Sequence, residues 1–408
     1  MTAWKTVPLG EVAEFVRGIN FKPEDVVAVG APGSVACMRT TNVQSEVDLS
    51  DVWGVPESFV RRPEQMLGCG DILISSANSW NLVGKCCWIA RLPWRASFGG
   101  FVSVLRADAK RVEPRFLYRW FSSGRIQATL RSFGRQTTNI SNLNFERCLG
   151  LPLPLPPLPE QRRIAAILDK ADELRAKRRA ALAQLDGLAQ SVFVEMFGDL
   201  ASTPTLWRVE QLGECVSEFR YGTSIRSAAE GKPALRIPNV INGSLDITDL
   251  KCVPVSDVEF ERLRLADGDI LFVRTNGNPD FVGRCAVFQR QAVFDSGFPP
   301  TEFVFASYLI RARLNADSLT PTFLREFMTS PAGRQALRSR SKTSAGQFNI
   351  NTEGLASVPV PVPPLALQHE YGRRLTVVQH LQRTTRKSAA GLDALFASLQ
   401  HRAFRGDL

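Results

Sequence analysis

From Ile164 onward, apolar or small residues recur in steps of three and four: Ile164, Ile167, Ala171, Leu174, Ala181, Leu185, Leu188 and Val192, with one polar break at Arg178. This is the period of a helix with one apolar stripe, and it predicts a helix over roughly residues 160–197. The end of the chain repeats the pattern with Tyr371, Val378, Leu381, Leu392, Leu395 and Leu399, and its weak layer, Thr385 and Ser388, takes the place of Arg178. The first helix would run about 57 Å at about 1.5 Å per residue, too long and one-sided to be stable alone. The two seams therefore predict an antiparallel pair. Packing of each helix on its own globular unit, or on another subunit, is the alternative.

Ahead of the first helix the pattern changes. Short β-rich runs at 71–75, 85–89 and 101–105 mix with a helix-like segment at 114–121, which reads as α+β with an irregular antiparallel sheet. Then comes Pro152-Leu153-Pro154-Leu155-Pro156-Pro157-Leu158-Pro159. Proline fixes φ and removes donors, so this run is neither helix nor central strand but a stiff extended linker.

The whole plan then occurs again. Trp4, Leu9, Gly10 and Glu11 return as Trp207, Leu212, Gly213 and Glu214, and Gly70-Asp71-Ile72-Leu73 returns as Gly268-Asp269-Ile270-Leu271. Val83-Gly84-Lys85-Cys86 returns as Val282-Gly283-Arg284-Cys285, and the proline run as Pro359-Val360-Pro361-Val362-Pro363-Pro364. Both helices end in the same tripeptide, Gly198-Asp199-Leu200 and Gly406-Asp407-Leu408. If Leu408 were joined to Met1, the sequence would run into Trp4 as it does into Trp207. The expected organisation is a globular domain over residues 1–150, a linker and long helix over 151–200, a second globular domain over 201–357, and a linker and long helix over 358–408. The expected fold is α+β, with two pseudo-twofold-related domains joined by two long antiparallel helices that form a coiled-coil stalk.

Composition narrows the partner. The 408 residues exceed one ordinary core, and 50 Lys and Arg against 40 acids give a net charge of +10. That balance favours an acidic partner such as nucleic acid. Residues 1–15 lack an apolar core segment, and the longest apolar stretch, 149–158, is broken by prolines, so neither a signal peptide nor a membrane span is expected and the location is read as cytoplasmic. The eight cysteines sit mostly singly in apolar runs without a Cys-x-x-Cys pair, which favours buried thiols over disulfides or zinc ligands.

Two long stretches are distinctive: Leu155-Pro156-Pro157-Leu158-Pro159-Glu160-Gln161-Arg162-Arg163-Ile164, and Tyr221-Gly222-Thr223-Ser224 followed by Leu235-Arg236-Ile237-Pro238-Asn239-Val240. With the repeated order of domain, proline linker and long helix, they make the chain resemble, over essentially its whole length, the specificity subunit of type I restriction-modification systems. The second linker departs from the pattern, with Ala366-Leu367-Gln368-His369 where the first has Pro159-Glu160-Gln161-Arg162. The resemblance implies that each globular domain is a target recognition domain reading one half of a bipartite double-stranded DNA sequence. It also implies that the helices separate the two domains and bind two modification (methyltransferase) subunits, with restriction subunits as further partners. S-adenosylmethionine and ATP would bind those partners, leaving no cofactor, no metal and no catalysis on this chain.

Motifs for chemistry are weak. An adenine methyltransferase needs an Asn/Asp-Pro-Pro-Tyr/Phe string, and the nearest here, Asn278-Pro279-Asp280-Phe281, has an acid for the second proline and reads as a turn. His369, His380 and His401 all fall on the last helix, away from any Cys or acid cluster, and no Gly-x-x-x-x-Gly-Lys-Ser/Thr loop occurs. Reading DNA instead needs Arg for guanine, Asn or Gln for adenine, and hydroxyls or Lys for phosphate. Such residues gather at matching places. In the first half they are Arg39, Thr40, Thr41 and Asn42, then Ser75, Ser76, Asn78 and Asn81, then Arg135, Gln136, Thr137, Thr138 and Asn139. In the second they are Tyr221, Thr223, Ser224, Arg236, Asn239, Arg274, Asn276, Lys342, Ser344, Gln347 and Asn349. Trp80 is a candidate wedge, whereas Trp53, Trp88 and Trp94 are expected in the core.

Because the two loop sets differ in sequence, the expected target is asymmetric, with half-sites about one helical turn (~10 bp) apart if both are read from one face. Arg175, Lys177, Arg178 and Arg179 mid-way along the first helix, and Arg383, Arg386 and Lys387 mid-way along the second, form basic clusters that need an acidic answer. They are candidates for binding the modification subunits, a solvated face and spacer phosphates being the alternatives. From other functional classes, a self-contained methyltransferase and a tandem-domain single-strand or RNA binder remain open.

Overall fold

The computed structural model describes residues 4–133, 135–136, 140–200, 206–241, 243–344 and 346–408. It divides into two compact units, one of residues 1–180 with 386–408, the other of residues 181–385. Both long helices pass from one unit into the other.

In the first unit a four-stranded antiparallel sheet runs in the order Ala13–Arg17, Val102–Ala107, Ile72–Ser75, Cys86–Trp88. A second sheet, Trp53–Pro56, Ser34–Met38, Ala96–Phe98, lies in the same unit, and its last pair is parallel rather than antiparallel as the sequence had implied. The central strand Ile72–Ser75 is buried along its whole length, which is why it reads as a continuous apolar run instead of an alternating one. Helices Pro114–Phe121 and Gly124–Ser132 cover one face, with Phe116, Leu117 and Phe121 fully buried.

The second unit repeats the construction. Its four-stranded sheet runs Val216–Tyr221, Leu309–Leu314, Ile270–Val273, Cys285–Val287, and its three-stranded sheet runs Lys251–Val253, Lys232–Leu235, Val304–Phe305, again with one parallel pair. The registers match rung for rung: Ile72 faces Leu105 where Ile270 faces Ala312. Some rungs differ in kind. Val16 faces Val104 in the first unit, while Arg220 faces Arg311 in the second, with Glu218 ion-paired to both arginines.

The proline linkers are extended, as expected, and also paired. Pro152–Pro154 forms an antiparallel ladder with Thr6–Pro8, and Pro359–Val362 with Arg208–Gln211. Two-stranded ribbons have only edges, so prolines can alternate along them without losing a required donor. The chain then turns into the helices Leu158–Phe197 and Leu365–Ala403. Gln161 and Gln368 fasten these junctions. Gln161 accepts the Glu113 N–H at 2.7 Å and donates to the Pro156 carbonyl at 2.8 Å; Gln368 accepts the Thr320 N–H at 2.8 Å and donates to Pro363 at 2.8 Å and Ser318 at 2.9 Å. Each glutamine thereby satisfies an orphan N–H at the start of a domain helix and ties the linker to the domain.

Within each unit the long helices run antiparallel. In the first, Arg163 donates to Leu408 and Arg175 to Asp393; in the second, Gln382 donates to Asp186 and Arg374 lies near Glu195. The buried face is concentrated where the helices meet the globular cores: Ile164, Ala165 and Leu168 in one, Phe193, Phe197, Tyr371 and Leu375 in the other. Several seam positions are exposed instead, namely Leu174, Leu188, Leu381 and Leu395. A contact between two helices covers only a narrow stripe, so positions at its border stay in water. Gly198 and Gly406 both adopt positive φ and end their helices. Trp207 donates its indole N–H to the Phe197 carbonyl in one unit, and Trp4 packs on Gly406 in the other.

Candidate nucleic-acid interface

A small three-stranded sheet in each unit gathers residues distant in sequence. In the first unit, Arg135–Gln136 pairs with Ser141–Asn142, which pairs with Ala77–Asn78. In the second, Lys342–Ser344 pairs with Gln347–Asn349, which pairs with Thr275–Asn276. The registers make Arg135 equivalent to Lys342, Asn142 to Asn349 and Asn78 to Asn276. The attachment is also shared: Leu143 N–H donates to the Ser76 carbonyl at 2.8 Å, and Ile350 N–H to the Arg274 carbonyl at 2.9 Å.

Several sequence candidates therefore come together. Asn78, Arg135 and Gln136 share one small sheet, and Asn276, Lys342, Ser344, Gln347 and Asn349 share the other. Thr137, Thr138 and Asn139 lie outside the described residues. Asn142 is exposed, occupies the position of Asn349, and was missed, because only the ladder register reveals that these two asparagines correspond. Asn81 and Ser224 are exposed; the Asn81 amide oxygen accepts from the Ser79 hydroxyl at 2.7 Å. Asn78 and Asn276 also shape the loop that follows them, accepting the N–H of Ser79 at 2.8 Å and of Asn278 at 3.0 Å.

Arg274 lies with its guanidinium 4.8 Å from the centre of the Tyr221 ring, whose hydroxyl accepts the Thr352 N–H at 3.2 Å. This places the Tyr221 and Arg274 candidates side by side at the root of the second small sheet.

Six candidates have internal duties instead. Asn42 is buried, accepting the Arg39 N–H at 2.7 Å and donating to the carbonyls of Asp48 at 2.7 Å and Asp51 at 3.0 Å. Asn239 repeats this with Arg236, Asp246 and Asp249. A buried primary amide with both N–H donors and one oxygen lone pair taken by backbone has no donor left for a base edge. Ser76 is buried against the Ser103 hydroxyl, and Thr223 is buried with its hydroxyl accepting the Ile225 N–H. Arg39 and Arg236 brace the same loops through Asp51 at 2.5 Å and Asp249 at 2.9 Å, and Arg39 also stacks on Trp53 at 3.6 Å. Thr41 stays exposed beside them.

The string Asn278-Pro279-Asp280-Phe281 is an exposed turn in which the Asn278 side chain accepts the Asp280 N–H at 2.9 Å. The three histidines are exposed along the second long helix. All eight cysteines are unpaired thiols, buried except Cys69 and Cys252; burial pushes Cys37, Cys87, Cys148 and Cys285 up to about 12. Trp80 is exposed as a wedge would require, but so is Trp94, which the sequence had placed in the core. Among the described residues no helix is long and apolar enough to cross a membrane.

On the long helices, Arg175 is engaged internally, pairing with Asp172 at 2.9 Å and Asp393 at 2.6 Å beneath Phe396. Lys177 pairs with Glu173 at 2.5 Å. Arg119, buried in the domain, reaches Asp169 at 2.7 Å and Asp172 at 2.8 Å. Burial alone would raise the Asp172 carboxyl, but the Arg119 hydrogen bond and the surrounding arginine charges outweigh it and hold the group below its usual range. The acidic answer to this basic cluster is thus within the same unit. Arg178, Arg179, Arg383, Arg386 and Lys387 keep exposed side chains.

Comparison with known proteins agrees with this geometry. Residues 1–184 match the family model for the type I restriction modification DNA specificity domain. The chain is 28% identical over 426 residues to the type I restriction enzyme EcoKI specificity subunit of Escherichia coli K12, covering 99% of this chain and 89% of that one. It is 25% identical over 425 residues to the StySPI specificity subunit of Salmonella potsdam, with the same coverage. In fold it is similar to a chain from a study of assembly and conformational transition of the type I R-M system, with TM-score 0.58 and 18% identity over 100% of this chain and 99% of that one. It is also similar to the type I S subunit from M. genitalium, with TM-score 0.57 and 14% identity over 98% of this chain and 96% of that one. Residues 1–184 thus match a type I restriction modification DNA specificity domain, and over essentially its whole length the chain is similar to the specificity subunits of type I restriction-modification systems.

Proposed function

We propose that this chain is the non-catalytic DNA-recognition subunit of a type I restriction-modification complex, reading an asymmetric bipartite duplex sequence and recruiting modification subunits. The observation that carries the reading is the pair of small sheets. They share one backbone register and the asparagines at two positions, Asn78 with Asn276 and Asn142 with Asn349, yet the sequence differs at the others: Ala77, Arg135, Gln136 and Ser141 in one unit against Thr275, Lys342, Thr343 and Phe348 in the other, with Ser76 and Arg274 at the attachment. One scaffold with two side-chain sets is what an asymmetric target requires, because base edges are distinguished by donor and acceptor patterns. The net charge of +10 suits a phosphate-rich partner.

S-adenosylmethionine and ATP belong, on this reading, to the partner subunits. The exposed Arg178 and Arg179 are the proposed contacts to a modification subunit. Reversing both charges should abolish co-purification with that subunit; a smaller salt slope with unchanged sequence preference would instead assign them to phosphate, and no effect would leave a solvated face. The primary test is methylation mapping of a genome with this gene present and deleted. Loss of one bipartite, asymmetric adenine-methylated motif supports the reading, and unchanged methylation with the partner methyltransferase expressed refutes it.

A further inference from the structure

Phe101 and Tyr308 are exposed aromatic residues at the same place in the two units. Each immediately precedes a central strand, and the registers that set Val102 opposite Ser75 and Leu309 opposite Val273 make the two positions equivalent. Phe101 is 64% exposed and Tyr308 59%. Their main chains are nevertheless held. The Phe101 carbonyl accepts the N–H groups of Ser76 at 3.0 Å and Ala77 at 3.2 Å, and the Tyr308 carbonyl accepts the Arg274 N–H at 2.9 Å. Those donors lead directly into Asn78 and Asn276, so each ring is anchored at the root of a small sheet. In the first unit Phe101 also lines a cleft of about 400 Å³ with Arg39, Thr40 and Thr41, where the two polar segments of that domain converge.

An exposed aromatic side chain gives up the free energy of burial. Keeping one at matched positions, while the adjoining segments differ as Ser76-Ala77-Asn78 and Arg274-Thr275-Asn276, separates its role from hydrogen-bond readout. Every base offers an apolar π-face whatever its edge, so a ring can serve two different half-sites equally. We propose that Phe101 and Tyr308 are wedge residues, each pressing its ring against a base step in one half of the duplex beside the small sheet. The proposal rests on the DNA-recognition reading and adds the contact that hydrogen bonding does not supply.

The test uses the full chain assembled with its modification subunits, on duplexes carrying the sequence found by methylation mapping, with 2-aminopurine placed in turn at each position. The unaltered complex should raise fluorescence at one step in each half. Phe101→Ala should abolish the rise in one half only and weaken binding roughly tenfold or more. Tyr308→Ala should do the same in the other half. Phe101→Tyr and Tyr308→Phe should keep the signal, and the salt slope should not change, because no phosphate contact is lost. Binding without any fluorescence rise, or alanine variants that keep both signal and affinity, overturns the wedge while leaving the recognition reading standing. Alanine variants that lose the modification subunits assign the rings to a protein partner and also overturn it. An unaltered complex that does not distinguish this duplex from others refutes the recognition reading itself.

Discussion

Lys342 lies directly opposite Asn349 in the antiparallel ladder of the second small sheet, and Arg135 lies opposite Asn142 in the first. On the proposed reading, a cationic residue and an amide residue at paired rungs would give each unit a base-reading couple. Asn142→Ala and Asn349→Ala are therefore expected to weaken discrimination at one base pair in one half-site by about 1–3 kcal/mol, with unchanged melting temperatures. Binding titrations against duplexes substituted one position at a time check this; equal loss on all sequences would contradict it.

Asn42→Ala and Asn239→Ala should behave in the opposite way. Each strips buried backbone groups of their partners, so a loss of about 1–3 kcal/mol of stability is expected before any change in base preference. Denaturant unfolding should show it.

Gln161→Ala and Gln368→Ala should each cost a similar amount, because Gln161 is 1% and Gln368 0% exposed and both amide ends are occupied. Hydrogen exchange should localise the loosening to residues around Glu113 in the first variant and Thr320 in the second. Uniform protection would argue that the linkers are held by their strand ladders alone.

Arg106 and Arg313 occupy equivalent rungs and each grips a buried carboxylate, Asp71 at 2.6 Å and Asp269 at 2.8 Å. Removing the arginine takes away the close ion pair of that carboxylate; with Arg106 28% and Arg313 41% exposed, the loss stays below the about 3–5 kcal/mol of a fully buried pair. Arg311 remains 4.0 Å from Asp269, and Arg313 is the more exposed of the two arginines. Arg106→Ala should therefore destabilise more than Arg313→Ala, and the reverse order in unfolding midpoints would contradict the assignment.

The Asp172 carboxyl is held below its ordinary value, so its contribution to stability is present above the unfolded value near about pH 4 and is lost as pH falls through the folded value. Replacing Arg119 by Met removes the strongest attraction and leaves the burial penalty opposed only by Arg175 and Arg179. The deficit of the variant should then be full at about pH 6 and shrink as pH falls below about 4 through the folded value of the unaltered chain, where Asp172 is protonated in both. Thermal melting across this range decides it; parallel curves would mean that Asp172 does not sense Arg119.

The doubled plan and the two long helices were legible in the sequence, because a repeated order of landmarks and a heptad stripe are patterns along the chain; antiparallel pairing was expected beside packing on the globular domains, and each unit shows both. The proline runs announced extended linkers for the same reason: proline acts on its own φ and its own missing donor. The tertiary fold set which polar side chains are spent on internal contacts. Asn42 and Asn142 look alike in the sequence, yet backbone carbonyls from a folded loop consume the first amide and a ladder presents the second. It also decided that Ser76 is buried and Phe101 exposed, since burial depends on what other segments bring to that point in space. Such pairings join positions such as Arg135 and Ala77 through a strand between them, and no local pattern encodes that juxtaposition.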